Sequence, residues 1–232
     1  MKTLIRITLA VAIAATTAFA ADFEGKVEMK AKAPDMAMLG VDSMSMNMAI
    51  KGAKVRMDMK AAGAGAQEGL AAMMNMSVII NTDKKEAAML NSAKKTALVM
   101  PIKDKTEEAG SSKFDGDFKA TGKTDTILGY KVEEYVSTSE SGSYTEMWLS
   151  KDLGAFRAMQ QQGQKQKGWE KFLADNNFFP MKLVEYSSKG GKVVSEMEVT
   201  KVEKGSVPDS TFEIPADYKK MDLGDMLKGL GQ

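Results

Sequence analysis

The sequence predicts an antiparallel α+β fold, and three observations carry that prediction. Apolar and polar residues alternate with a period of two through most of the chain, the pattern of half-buried strands. Turns rich in glycine, lysine, serine and asparagine separate these runs, as in a meander of hairpins. Helical spacing is confined to one insertion and to the end of the chain, so helices are segregated from the strands rather than interleaved with them. About ten or eleven strands are expected.

Residues 1–20, MKTLIRITLAVAIAATTAFA, combine two early positive charges, an apolar middle and a small-x-small end at Ala18 and Ala20. This is the pattern of a secretory leader cleaved after Ala20, too short to serve as a spanning helix. A periplasmic protein of about 212 residues, not membrane-spanning, is therefore expected. The chain has no cysteine, so in an oxidising compartment it must stand on its core without disulfides.

Strand patterns follow in order. FEGKVEMKAKA (23–33) sets Phe23, Val27, Met29 and Ala31 against Glu24, Lys26, Glu28, Lys30 and Lys32. Met44, Met46, Met48 and Ile50 then share one face, and after KGAK the beat resumes as Val55, Met57 and Met59. With Gly52-Ala53 as a two-residue hairpin loop, Lys51 pairs with Lys54, Ile50 faces Val55, Met48 faces Met57 and Met46 faces Met59; a one-residue slip would put every methionine opposite a charge. The Ala/Gly-rich segment 61–75 reads as a connection or short helix, and MSVIINTD, AAMLNSAKK and TALVMPI as a meander. Residues 113–121, 124–138 and 143–150 are read as three further strands. Leu153, Phe156 and Met159, then Trp169, Phe172 and Leu173, suit two short helices. Two strands flank Gly190-Gly191; a two-residue loop there would face Glu185 with Glu196, so a longer turn is expected. In residues 222–230, Leu223, Met226, Leu227 and Leu230 form the stripe of a short amphipathic helix.

Composition excludes several kinds of chemistry. The chain has no histidine, so Ser/His/Asp and Cys/His catalysis and His-ligated zinc are ruled out. Without Lys2 and Arg6 the 32 basic residues become 30 against 31 acidic ones, which gives no argument for nucleic acid. DFKATGKT lacks the first glycine of a phosphate loop, and SAKK (92–95) lacks the companion motifs of a serine-lysine nucleophile. Adjacent acids such as Glu107-Glu108 and Glu133-Glu134 point to opposite faces of a strand and read as solvated charge. No enzyme class and no cofactor is supported.

What stands out is methionine, 20 in 232 residues. Burying a methionine gains roughly 1.5–3 kcal/mol, but ordering it loses about 1.5–2 kcal/mol of rotamer freedom, and sheets favour β-branched residues. Three readings stay open. Methionines can simply fill a core; they can line an adaptable wall for an apolar ligand; or Met46, Met48, Met57 and Met59 can offer thioethers to copper(I). The candidate ligand-binding residues are Met44, Met46, Met48, Met57 and Met59 on the wall, with Trp148, Trp169 and Phe172 closing it.

GKTDTILGYKVEEY, EMWLSKDLG and above all VPDSTFEIPADYKKMD, with Phe212-x-Ile214-Pro215-x-x-Tyr218, resemble a family of exported bacterial proteins known as a domain of unknown function. More distantly the chain resembles the periplasmic lipoprotein carriers LolA and LolB. The resemblance implies a LolA-like incomplete β-barrel over residues 21–221. In such a fold a curved antiparallel sheet has short helices across its concave side and a cavity for lipid or acyl chains, and residues 222–232 would be a terminal helix or tail. The implied partners are a hydrophobic small molecule, a lipid, or a protein of the cell envelope.

Overall fold

The computed structural model describes residues 23–38, 40–63, 75–102, 117–139, 141–156 and 169–222. Its body is one open sheet of twelve strands. In chain order these are β1 (Gly25–Lys32), β2 (Ser43–Lys51), β3 (Lys54–Ala62), β4 (Met76–Asn81), β5 (Glu86–Asn91), β6 (Thr96–Pro101), β7 (Lys119–Ile127), β8 (Tyr130–Thr138), β9 (Tyr144–Ser150), β10 (Phe179–Tyr186), β11 (Val193–Lys204) and β12 (Lys219–Asp222). Across the sheet they run β12-β6-β5-β4-β3-β2-β1-β11-β10-β9-β8-β7. Every pairing is antiparallel except β12 beside β6. Helix is sparse among the described residues: α1 (Pro34–Met38), α2 (Trp169–Asp175) and a 3₁₀ turn at Asp209–Phe212.

The β2–β3 hairpin has the register that the methionine spacing demands. Lys51 pairs with Lys54, Ile50 with Val55, Met48 with Met57 and Met46 with Met59. Gly52 takes φ 54° in the loop, the left-handed conformation that a two-residue hairpin requires at its first position. The meander repeats one turn chemistry: Asn81 Oδ1 accepts from Lys84 N–H, and Asn91 Oδ1 from Lys94 N–H. Lys85 and Lys95 then carry the positive φ.

Two boundaries differ from expectation. The strands expected at 113–121 and 124–138 are β7, running on to Ile127, and β8, starting at Tyr130. Gly122 (φ 82°) does not end a strand but lies in a bulge between Ala120 and Thr124. The turn falls instead at Leu128-Gly129, with φ 52° and 84°, the two left-handed residues of a type I′ hairpin. Leucine rarely takes that conformation, which is why the sequence hid it. The helix expected around Leu153 and Phe156 is, over the described residues to 156, a turn and extended segment with Leu153, Ala155 and Phe156 buried. Burial of these residues, not a helical stripe, explains their spacing.

The turn around Gly190-Gly191 is longer than two residues, as avoidance of a like-charge pair requires. Glu185 pairs with Ser195, whose Oγ donates to it at 3.2 Å, and Glu196 receives Lys182 Nζ at 2.8 Å. Shifting the register by one thus turns a like-charge pair into a hydrogen bond and an ion pair.

The main core lies on one face, where Val27, Met29, Met48, Ile50, Val55 and Met57 pack into a cluster with Met147, Leu149, Phe178, Met181 and Leu183. A second cluster lies on the other face of β4–β6: Ile79, Ala88, Leu90 and Ala97, covered by Phe212, Ile214 and Tyr218. The small Ala88 and Ala97 leave room for those rings. The motif Phe212-x-Ile214-Pro215-x-x-Tyr218 is therefore a strap across the outer face. Asp209 anchors it, receiving Lys54 Nζ at 2.8 Å and Lys51 Nζ at 3.2 Å. The strap then delivers β12 to the edge of β6, where Lys219 N–H donates to Lys95 O at 2.8 Å.

These contacts set the effect of two kinds of substitution. A Cβ on Gly25 would strike the carbonyl oxygen of Glu203 on β11, whereas at Gly129 it would meet nothing. Gly129→Ala should then cost only the left-handed penalty of about 1–2 kcal/mol, and Gly25→Ala clearly more, because it forces two paired strands apart; urea unfolding ranks the two. The lysine hydrogen bonds hold the Asp209 carboxyl below its usual range. Their stabilisation is complete above the ordinary aspartate value of about 3.9 and fades as pH falls towards the depressed folded value. Thermal melts from neutral to acid pH should converge for the wild type and Asp209→Asn at the acid end.

Candidate functional site: the methionine face

Residues paired directly across neighbouring strands point to the same side of a sheet, so the strand register translates into rows of side chains. One row runs Val202, Val27, Met48, Met57, Val78, Met89, Leu98, Met221 over eight adjacent strands, β11 to β12. At about 4.8 Å per strand it spans about 34 Å. The next row is Val199, Met29, Met46, Met59, Met76. A third runs Tyr135, Met147, Leu183, Met197, Ala31, Met44.

Burial grades along these rows. Met29, Met48 and Met57 are fully buried, at 3%, 3% and 7% exposure. Outward from them Met44, Met46, Met59, Met76, Val78, Met89, Leu98, Met100 and Met221 are only half-buried. The apolar face thus passes without a polar interruption from closed core under β1–β3 to partly accessible surface over β4–β6 and β12. A run of half-exposed apolar side chains this long is unusual for a protein surface.

The structure brings Met44, Met46, Met48, Met57 and Met59 together on this face, as expected. Phe172, on α2, shares that side: its ring stacks on Phe118 at 4.9 Å and meets Tyr135 edge-on at 5.3 Å, and Tyr135 belongs to the Met44 row. It sits at the far end of that row, five strands from Met44. Trp148 pairs with Glu134 and Lys182, so by parity it leaves β9 on the other side from Met147 and Leu149 and stands outside the methionine rows; it is half-buried and packs against the main core cluster. Trp169 is the first residue of α2, and its side chain lies outside the described residues, as does the expected helix beyond Asp222.

The opposite face holds what the sequence reading missed. Glu134, expected to be solvated, is 3% exposed. Thr121 Oγ1 donates to it at 2.7 Å and Lys123 Nζ approaches to 2.9 Å, both from the β7 bulge, which folds over the carboxylate and satisfies it. Lys123 is in turn pushed to a higher pKa by that hydrogen bond and charge. The same face carries a groove of about 470 Å³ beside the strap, lined by charged residues of β11, β1 and β3 and by Asn47 and Ala49 of β2. Among the described residues no group of three His, Cys, Asp or Glu side chains is placed to hold a metal ion, and no helix is long and apolar enough to cross a membrane.

Known proteins offer several likenesses. An uncharacterised conserved protein from Thermus thermophilus is 10% identical, with 86% of this chain and 91% of that chain covered, at a TM-score of 0.49. The Pseudomonas aeruginosa MucA/MucB complex contains a chain that is 11% identical, with 84% and 56% covered and a TM-score of 0.45. LprF from Mycobacterium bovis is 9% identical, with 84% and 90% covered and a TM-score of 0.38. No curated protein matches the chain. The resemblance read from the strap motif and the early strands does hold at the level of family: over residues 23–218 the chain matches, and belongs to, the family described as a domain of unknown function, DUF4412.

Proposed function

We propose that this protein is a non-enzymatic binding module of the periplasm, reached through the leader at residues 1–20, and that its methionine face holds an apolar ligand such as a fatty acid, a lipid or a lipoprotein acyl chain. The observation that carries this reading is the gradient along the eight-strand row. Its inner half is core, while Val78, Met89, Leu98 and Met221 keep apolar surface in reach of a ligand. Each half-buried side chain that a ligand covers contributes at about 25 cal/mol per Å². Unbranched thioethers also adjust to chains of different shape. In this reading the open sheet curls into an incomplete barrel with α2 across its concave side, placing Phe172 at the far wall of the cavity.

Pairing Met46 with Met59 and Met48 with Met57 favours a second reading, copper(I) held by thioethers. Met48 and Met57 are buried, so such an ion would enter from the Met46–Met59 side. A third reading, an envelope interaction protein docking through residues 222–230, rests on the sequence alone.

Mass spectrometry of protein purified from cells without detergent should show co-purified lipid, and added fatty acid should raise the melting temperature; an empty protein indifferent to acyl chains overturns the reading. Replacing Met89 and Leu98 together by aspartate should abolish uptake while leaving the far core intact, because both side chains are half-exposed. Leucine at Met46, Met48, Met57 and Met59 conserves volume and should cost less than about 1.5 kcal/mol per site. That variant should keep lipid binding, whereas a copper(I) site would lose its thermal shift.

A further inference from the structure

The chain has no cysteine, so its only sulfur is the thioether of methionine, and the fold sorts those thioethers by access. Met29, Met48, Met57, Met147 and Met181 are at most 7% exposed. Met76, Met89, Met100 and Met221, on β4, β5, β6 and β12, are half-buried and stand together on the inner face. Met44, Met46 and Met59, on β2 and β3 and also half-buried, border the two groups. Protected thioethers therefore hold the core, and accessible ones gather on the part of the face where the apolar reading places its ligand.

A thioether is a soft two-electron donor. Its sulfur lone pair attacks one oxygen of a peroxide: the S–O bond forms, the O–O bond breaks, and the departing oxygen takes the proton and leaves as water. Sulfur is oxidised by two electrons, the peroxide is reduced by the same two, and the product is methionine sulfoxide. Hydrogen peroxide is little larger than water, so it reaches a half-buried sulfur on an open face before one sealed in the core.

The product reverses the character of the wall. A sulfoxide oxygen is a polar acceptor, and covering it with an apolar chain costs free energy unless a donor pairs with it. The neighbouring side chains offer none: Val78, Met89 and Leu98 stand side by side, as do Ile80, Ala87 and Met100. Sulfoxides there keep water on the face, while the buried methionines keep the fold. Leucine or valine would make an equally apolar wall without this response.

We infer that Met76, Met89, Met100 and Met221 form an oxidant-sensitive patch, a site of sulfoxide formation by peroxides that turns the face polar and releases its ligand without unfolding the protein. Release rests on the apolar-ligand reading; the order of modification rests on burial alone.

The test treats the full chain with hydrogen peroxide and follows each methionine by peptide mass spectrometry, alongside palmitate binding and the melting curve. Met38, 86% exposed at the end of α1, is the reference for a freely accessible sulfur. Sulfoxide should form at the four patch residues at least about tenfold faster than at the five buried ones, whose oxidation waits on opening of the core. At that stage palmitate affinity should fall at least about tenfold and the melt should stay cooperative. Met76→Leu, Met89→Leu, Met100→Leu and Met221→Leu combined conserve volume and should keep palmitate binding before and after peroxide; Met38→Leu should leave the loss unchanged. Even modification of patch and core, uptake that survives oxidation of all four, or a leucine variant that loses uptake all the same overturns this inference alone. Untreated protein that takes up no palmitate overturns the apolar-ligand reading, and release with it, even where the order of modification holds.

Discussion

Side-chain alternation locked by the β2–β3 register is the constraint on which the rest depends. Because successive residues face opposite sides of a strand, a two-residue loop that fixes one pair fixes all of them. Gly52 provides that loop. Once Met48 faces Met57, the core row and the half-exposed methionines lie on one side, and Ala49, Asn47, Arg56 and Asp58 on the other. The apolar wall and the charged groove are thus the two sides of one hairpin. A slip of one residue would bury Arg56 and Asp58 and expose the thioethers, disfavoured on both faces at once.

The part of the sheet formed by β4–β6 is apolar on both sides. On the outer side the small Ala88 and Ala97, between Ile79 and Leu90, receive the aromatic rings of the strap. On the inner side the long and flexible Met76, Met89 and Met100 stand beside Val78 and Leu98 and keep part of their surface accessible. If the sole aim were to fill space, the inward side would be better served by β-branched residues, which lose less entropy in a strand. Methionine there trades rigidity for a surface able to change shape.

Much of this was legible beforehand. The hairpin register, the meander and the longer turn at Gly190-Gly191 followed from period-two patterning and like-charge avoidance, both local effects. What escaped was set by contacts far along the chain or by rare backbone states. Leu128 takes a left-handed conformation that its side chain disfavours, so the β7–β8 turn was placed at Gly122. Trp148 looked like a lid because it is large and apolar, but parity with Met147 decides its side. Glu134 looked solvated because only the bulge of β7, eleven to thirteen residues away, covers it. The role of Phe212 and Tyr218 as an outer strap depends on alanines more than a hundred residues earlier, beyond any local pattern.

The position of β1 between β2 and β11 also bears on how the molecule is assembled. β2 is ready to pair almost as soon as it is made, whereas the other edge of β1 waits for residues about 170 positions later, as the bond from Thr200 to Glu28 illustrates. Until then the N-terminal meander has an unsatisfied edge and an uncovered thioether surface, a combination that invites association between nascent chains. Lysine and glutamate at every second position of β1 keep the outer side of that waiting edge charged and hydrated, so these residues guard the unfinished chain as well as coating the finished one.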